Sequence, residues 1–113
     1  MGYTTEFSGQ FRVDPPFTPM EVDSINTMAN TRHDPPGNYP GIWCDWEVSQ
    51  DGAYIEWNGT EKFYNYVEWL QYIINKYAKP TGKTVHGSVN YYGQDDGDHG
   101  VIICDNNNVI LSH

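Results

Sequence analysis

Asp95, Asp96, Asp98 and His99 form the densest cluster of side chains in the chain that can hold a cation or move a proton. Carboxylates this close together can bind a hard divalent ion through oxygen. The cluster lacks the closing bidentate Glu of an EF-hand, and one His with no Cys beside it does not make a zinc set. A solvated loop between two strands, with charges that discourage edge-to-edge pairing, accounts for it. No metal and no cofactor is therefore expected.

Cys44 and Cys104, with His86 or His99, are the residues from which a thiol–imidazole pair would be built. A cysteine nucleophile needs a nearby cation or helix start to lower its pKa. Acidic surroundings act in the opposite direction, and Cys44 alternates in phase with Ile42 and Trp46 as a small inward-facing hydrophobe. Asp45 and Glu47 share the outward face of the same predicted strand, with Glu56 on the next. Paired carboxylates that do acid–base work line a cleft and have separated pKa values. These three read instead as residues of a flat, solvated sheet face. The chain carries no Gly-rich phosphate loop and no serine elbow, and it reads as a non-enzyme.

The aromatic residues point to a different chemistry. Tyr64, Glu68 and Tyr72 recur at helical spacing opposite an apolar stripe, with Trp69 at its margin. Trp43 and Tyr92 face outward from predicted strands. Tyrosine and tryptophan dominate binding hot spots. The expected protein-binding surface thus combines Tyr64, Glu68, Trp69, Tyr72 and Trp43 with the carboxylates Asp45, Glu47, Glu56, Asp95, Asp96 and Asp98. A partner protein or a second copy of the chain would cover it.

Charge narrows the partner. The 113 residues carry a net charge of −9 with six Lys and Arg. Six cations cannot neutralise many phosphates, which argues against direct nucleic-acid binding and against anionic membranes. A basic protein surface is the complementary partner. No apolar run approaches the length of a membrane span, and no charged-then-apolar leader opens the sequence. Two cysteines are too few for a disulfide scaffold. The expectation is a cytoplasmic protein with reduced thiols.

One domain over residues 1–113 must position these groups. The longest apolar repeat is Phe63, Tyr66, Val67, Leu70, Ile73, Ile74 and Tyr77, which predicts a helix over 60–77 capped by Thr60 and stopped by Pro80 and Gly82. Alternation over 3–13 predicts a first strand. Thr18-Pro19-Met20-Glu21 reads as a capping box opening a short helix to about Arg32. Pro35-Pro36-Gly37 and Pro40-Gly41 mark a long crossing loop. Strands follow over 42–48 and 54–57, joined at Asp51-Gly52. After the long helix come strands over 85–92, 101–104 and 109–111. The order βαββαβ(ββ) predicts an α+β fold, an antiparallel-rich sheet with two helices on one face. That is a ferredoxin-like sandwich with a C-terminal hairpin extension. Phe7, Phe11, Val67, Leu70, Ile74, Trp46 and Val89 are the predicted common core.

Several stretches resemble small proteins of bacterial and phage genomes to which no activity is assigned. They are Gly2-Tyr3-Thr4-Thr5 with Phe7 and Gly9, Gly41-Ile42-Trp43-Cys44 with Trp46, and Glu56-Trp57. Glu61-Lys62-Phe63-Tyr64 and the acidic loop from Gly93 to Gly100 followed by Asp105-Asn106 complete the likeness. The resemblance implies a single small domain of phage or mobile-element origin and transfers no site. With size and charge, it gives the expected function: an acidic protein-binding module that inhibits a host factor, of anti-defence, anti-CRISPR or DNA-mimic type. The alternatives are a small-ligand or nucleotide-binding oligomer and a metal-dependent enzyme using residues 95–99. A concave aromatic pocket would mark the ligand binder, and a flat or convex patch the protein binder.

Overall fold

Strict alternation makes β1 (Thr5–Asp14) the central strand. Thr5, Phe7, Phe11 and Val13 turn into the core, while Glu6, Ser8, Gln10 and Arg12 face water. The computed structural model describes residues 4–34, 37–61 and 63–112. Tyr3, Pro35, Pro36 and Lys62 lie outside that description.

After β1 come α1 (Pro19–Ala29), β2 (Trp46–Val48), β3 (Tyr54–Trp57) and α2 (Tyr66–Ile73). They are followed by β4 (Thr84–Gly93), β5 (His99–Asp105) and β6 (Asn108–Ser112). The strands form one six-stranded sheet in the order β2-β3-β1-β4-β5-β6, with every neighbouring pair antiparallel. The class is α+β. Apolar residues of both helices and of one sheet face share a single core, in which Trp46, Trp69, Leu70, Ile25 and Ile55 are fully buried. Of the predicted core, only Val67 is partly buried, packed against the rest.

Helix α1 starts as its residues dictate. Thr18 accepts from the Glu21 backbone N–H, and the Glu21 carboxylate accepts from that of Thr18 at 2.8 Å. Asn26 then clamps the helix to the short edge strand. Its side chain donates to the Val48 carbonyl at 2.9 Å and accepts from the Val48 N–H at 2.8 Å. The β2–β3 turn closes on Gly52, whose positive φ of 76° and contact with the Phe17 backbone exclude a side chain.

Three elements differ from the sequence expectation. Helix α2 begins at Tyr66, and Thr60 does not cap it; Asn65 holds the N-cap position in a left-handed conformation. Phe63 is the reason. Its ring is buried between Phe7 at 5.7 Å and Trp46 at 5.2 Å, so Phe63 fills the core from outside the helix. Past Ile73 the helix widens into a π-turn over Ile74–Ala78 and tightens into a 3-10 turn over Lys79–Thr81. Left-handed Gly82 and the bond from Lys83 N–H to the Ala78 carbonyl end it. Strand β2 is three residues long, since Ile42 to Asp45 leave the sheet.

Candidate functional site

The segment that leaves the sheet lines a concavity. A cavity of about 700 Å³ opens between residues 41–45, the residues Asn58, Thr60, Glu61, Tyr64 and Asn65, and the C-terminal end of α1. Backbone and amide groups hold its walls. The Pro40 carbonyl accepts from the Asn65 side chain at 2.8 Å, and the Asp45 carbonyl accepts from the Asn58 N–H at 2.9 Å. The Trp46 indole donates to the Tyr66 carbonyl at 2.8 Å, and His33 N–H donates to the Ile42 carbonyl at 2.8 Å. A Cβ on Gly41 would stand 3.2 Å from both Asn65 Nδ2 and Trp69 Nε1, so a side chain there would make one of those groups shift by a few tenths of an ångström.

The lining is mostly apolar, and one ionisable group is sunk into it. Asp45 is 5% exposed. Burial pushes its carboxyl up to about 6, partly opposed by a hydrogen bond from the Asn58 side chain. Cys44 beside it is buried, and its thiol is pushed up to about 12, first by burial. That favours the neutral thiol at physiological pH. Cys104 likewise rises to about 11, first by burial, under a hydrogen bond to the Val85 carbonyl. Both cysteines are free. At the cavity rim Trp43 is 48% exposed, Ile42 41% and Tyr64 55%. Glu61, also exposed, lines the wall.

Several site residues stand elsewhere than their spacing implied. Asp45 is buried rather than on an outward face, because the chain is irregular where alternation predicted a strand. Ile42 is exposed for the same reason. Trp69 is 0% exposed. The crossing loop folds over it, with the rings of His33 and Tyr39 stacked at 3.9 Å and their centroids 5.6 and 6.2 Å from that of Trp69. Tyr72 is half-buried under Tyr39 at 5.5 Å, and Lys76 Nζ donates to its hydroxyl at 3.2 Å. Tyr64 lies before the helix, so Tyr64 and Tyr72 do not form one helical face. Glu68 is exposed in the first turn of α2.

Glu47 and Glu56 oppose each other across β2 and β3 on the open sheet face. Burial and then the Glu56 charge raise the Glu47 carboxyl. Asp95 and Asp96 are exposed and Asp98 half-buried in the β4–β5 turn, where the Gly93 N–H donates to the Asp98 carbonyl at 2.7 Å. Thr5 pairs with Gly93, and β3 runs antiparallel to β1 from Ile55 opposite Phe11. The acidic turn and the cavity mouth therefore share one end of the sheet. Among the described residues no three His, Cys, Asp or Glu side chains gather as a metal set. No described helix is long and apolar enough to cross a membrane.

The spacing did not single out Asn58, Glu61 or Asn65. No family model matches the chain, and no curated protein or solved structure is significantly similar to it.

Proposed function

We propose that the chain is a non-enzymatic acidic binding module, and that it engages a partner protein by seating one of the partner's side chains in the Asp45 cavity. The observation that carries this reading is a cavity of about 700 Å³ whose mouth is ringed by the exposed apolar groups Ile42, Trp43 and Tyr64. A pocket of this size holds a ligand-sized group. An aromatic rim beyond the pocket gives a protein surface something to cover, as binding hot spots do. Concavity is the mark of a small-ligand binder, which stays the second reading; the exposed rim of Ile42, Trp43 and Tyr64 is what favours a protein.

Catalysis is disfavoured by the neighbours of Asp45. Its chain neighbour Cys44 has a thiol pushed up to about 12, first by burial. In a phage genome such a module would act in the host cytoplasm by occupying a basic groove of a host factor; small size and the net charge of −9 support that version. We also read β1 to β4 as a ferredoxin-like sandwich extended by β5 and β6, supported by the strand order β2-β3-β1-β4.

The test is comparative capture from the native host, with the wild-type chain and Trp43→Ala/Tyr64→Ala side by side. The double variant should melt within about 0.5 kcal/mol of wild type, since both side chains are solvent-facing. It should lose the captured protein, by about 2 kcal/mol or more in binding. Equal capture by both proteins would refute the assignment.

A further inference from the structure

We propose that the group received by the cavity is cationic, the guanidinium or ammonium end of an arginine or lysine side chain of the partner protein, with Asp45 as its counter-ion. This rests on the reading of the cavity as the binding site and names the chemistry of its occupant.

The argument begins with the buried charge. Asp45 is 5% exposed, and among the described residues its side chain has an amide neighbour, Asn58, and no cation. The ion pairs among the described residues are Arg32–Asp34 and Lys83–Glu21, and neither reaches it. A carboxylate withdrawn from water without a counter-charge is costly, and a cation delivered to it recovers that cost. Asp45 does not stand alone, since it lines a formed cavity with Glu61 on the wall. No Lys or Arg is among the described lining residues.

The remaining walls suit the rest of a basic side chain. Arginine and lysine carry apolar stems that pack along apolar surface while the charged head seeks a polar partner. Ile42 and the ring of Trp43 offer such a surface at the mouth, and Trp43 and Tyr64 offer faces that attract cations. A neutral aromatic ligand would use the same rings but leave Asp45 further desolvated and unpaired, and such unpaired buried groups weaken binding. An anion would be repelled by Asp45, by Glu61 and by the acidic turn at the same end of the sheet. Charge complementarity selects the cation.

The experiment titrates the isotope-labelled full chain with three probes: N-acetyl-arginine methylamide, N-acetyl-lysine methylamide and the neutral isostere N-acetyl-citrulline methylamide. Backbone amide shifts of residues 41–45, 58–61 and 63–65 locate binding, and tryptophan fluorescence gives a second readout at Trp43. The two cations should shift these residues and bind about tenfold or more tightly than citrulline. Asp45→Asn, checked by melting and circular dichroism, should remove that preference. Glu61→Gln should weaken the cations by a smaller factor. Citrulline binding as tightly as arginine, or full cation affinity in Asp45→Asn, would overturn the cation assignment and leave the cavity reading standing. Shifts that fall outside the cavity with every probe would overturn both. If Asp45→Asn fails to fold, the arginine-to-citrulline ratio on the wild-type chain decides.

Discussion

Asp45 is the residue at which burial and chemistry conflict most. Its carboxyl is pushed from 3.8 up to about 6 because withdrawal from water disfavours the charged form. The folded state therefore holds a proton over a pH range in which the unfolded chain has lost it. The stabilisation of the neutral acid is complete below about pH 4 and is lost as pH rises through 6. Asp45→Asn has no proton to lose. The stability of wild type relative to Asp45→Asn should thus fall by on the order of 2–3 kcal/mol between pH 4 and pH 7. Urea melts of both proteins at those two pH values measure the difference. A constant gap would mean that the carboxylate is solvated in the folded chain.

At the scale of elements, α2 and the capping box of α1 carry the sheet. Leu70, Ile73 and Ile74 are fully buried against it. Leu70→Ala should cost about 2–5 kcal/mol in denaturant unfolding, and a cost below about 0.5 would show that α2 is not the core helix. Glu21 joins two elements. Its carboxylate caps Thr18 and lies 3.1 Å from the buried Lys83 Nζ at the start of β4. The backbone bond at Thr18 and then Lys83 hold that carboxyl below its usual value, so its contribution is present above pH 4.5 and disappears as pH falls through the lowered folded pKa. Glu21→Ala leaves Lys83 unpaired and removes a cap, and should destabilise by about 2–4 kcal/mol. Lys83→Met in the same background should recover part of that loss, because a buried pair replaced by apolar groups is often tolerated. No recovery would show that capping alone accounts for the effect.

The whole molecule is a sheet with one covered and one open face and with most of its distinctive groups at one end. The cavity, Trp43, Tyr64, Glu61 and the turn bearing Asp95, Asp96 and Asp98 lie there together. In a chain of net charge −9 this end should steer a basic partner from a distance. Asp95→Asn/Asp96→Asn/Asp98→Asn should slow association by about tenfold at low salt and flatten its ionic-strength dependence, while dissociation changes little. Stopped-flow measurements at two salt concentrations check this. An unchanged association rate would remove the acidic turn from the encounter.

What the sequence determined by itself was everything governed by local periodicity and local hydrogen bonding. Alternation along 3–13 and 85–92 and the Thr18–Glu21 capping box each predict their element to within a few residues, whereas the apolar repeat from Phe63 to Tyr77 predicts a helix from 60 that starts only at Tyr66. These patterns report which side of a strand or helix is apolar, and the burial of Phe11, Val89 and Leu70 follows from that. Exposure of the polar side is a different matter, because it depends on what a distant segment covers. Trp69 and Tyr72 have an outward helical phase and are nevertheless covered, since the crossing loop lays Tyr39 and His33 over them. Asp45 has the alternation of an exposed strand residue and is nevertheless buried, since the chain leaves the sheet at Asp45 and Asn58 closes beside it. Phe63 has the phase of a helix residue but fills the core from a loop, which delays α2 to Tyr66. The cavity exists only because two irregular segments, far apart in sequence, are locked together through Asn58 and Asn65. No period in the sequence encodes such a contact, so tertiary packing alone decided where the site would be.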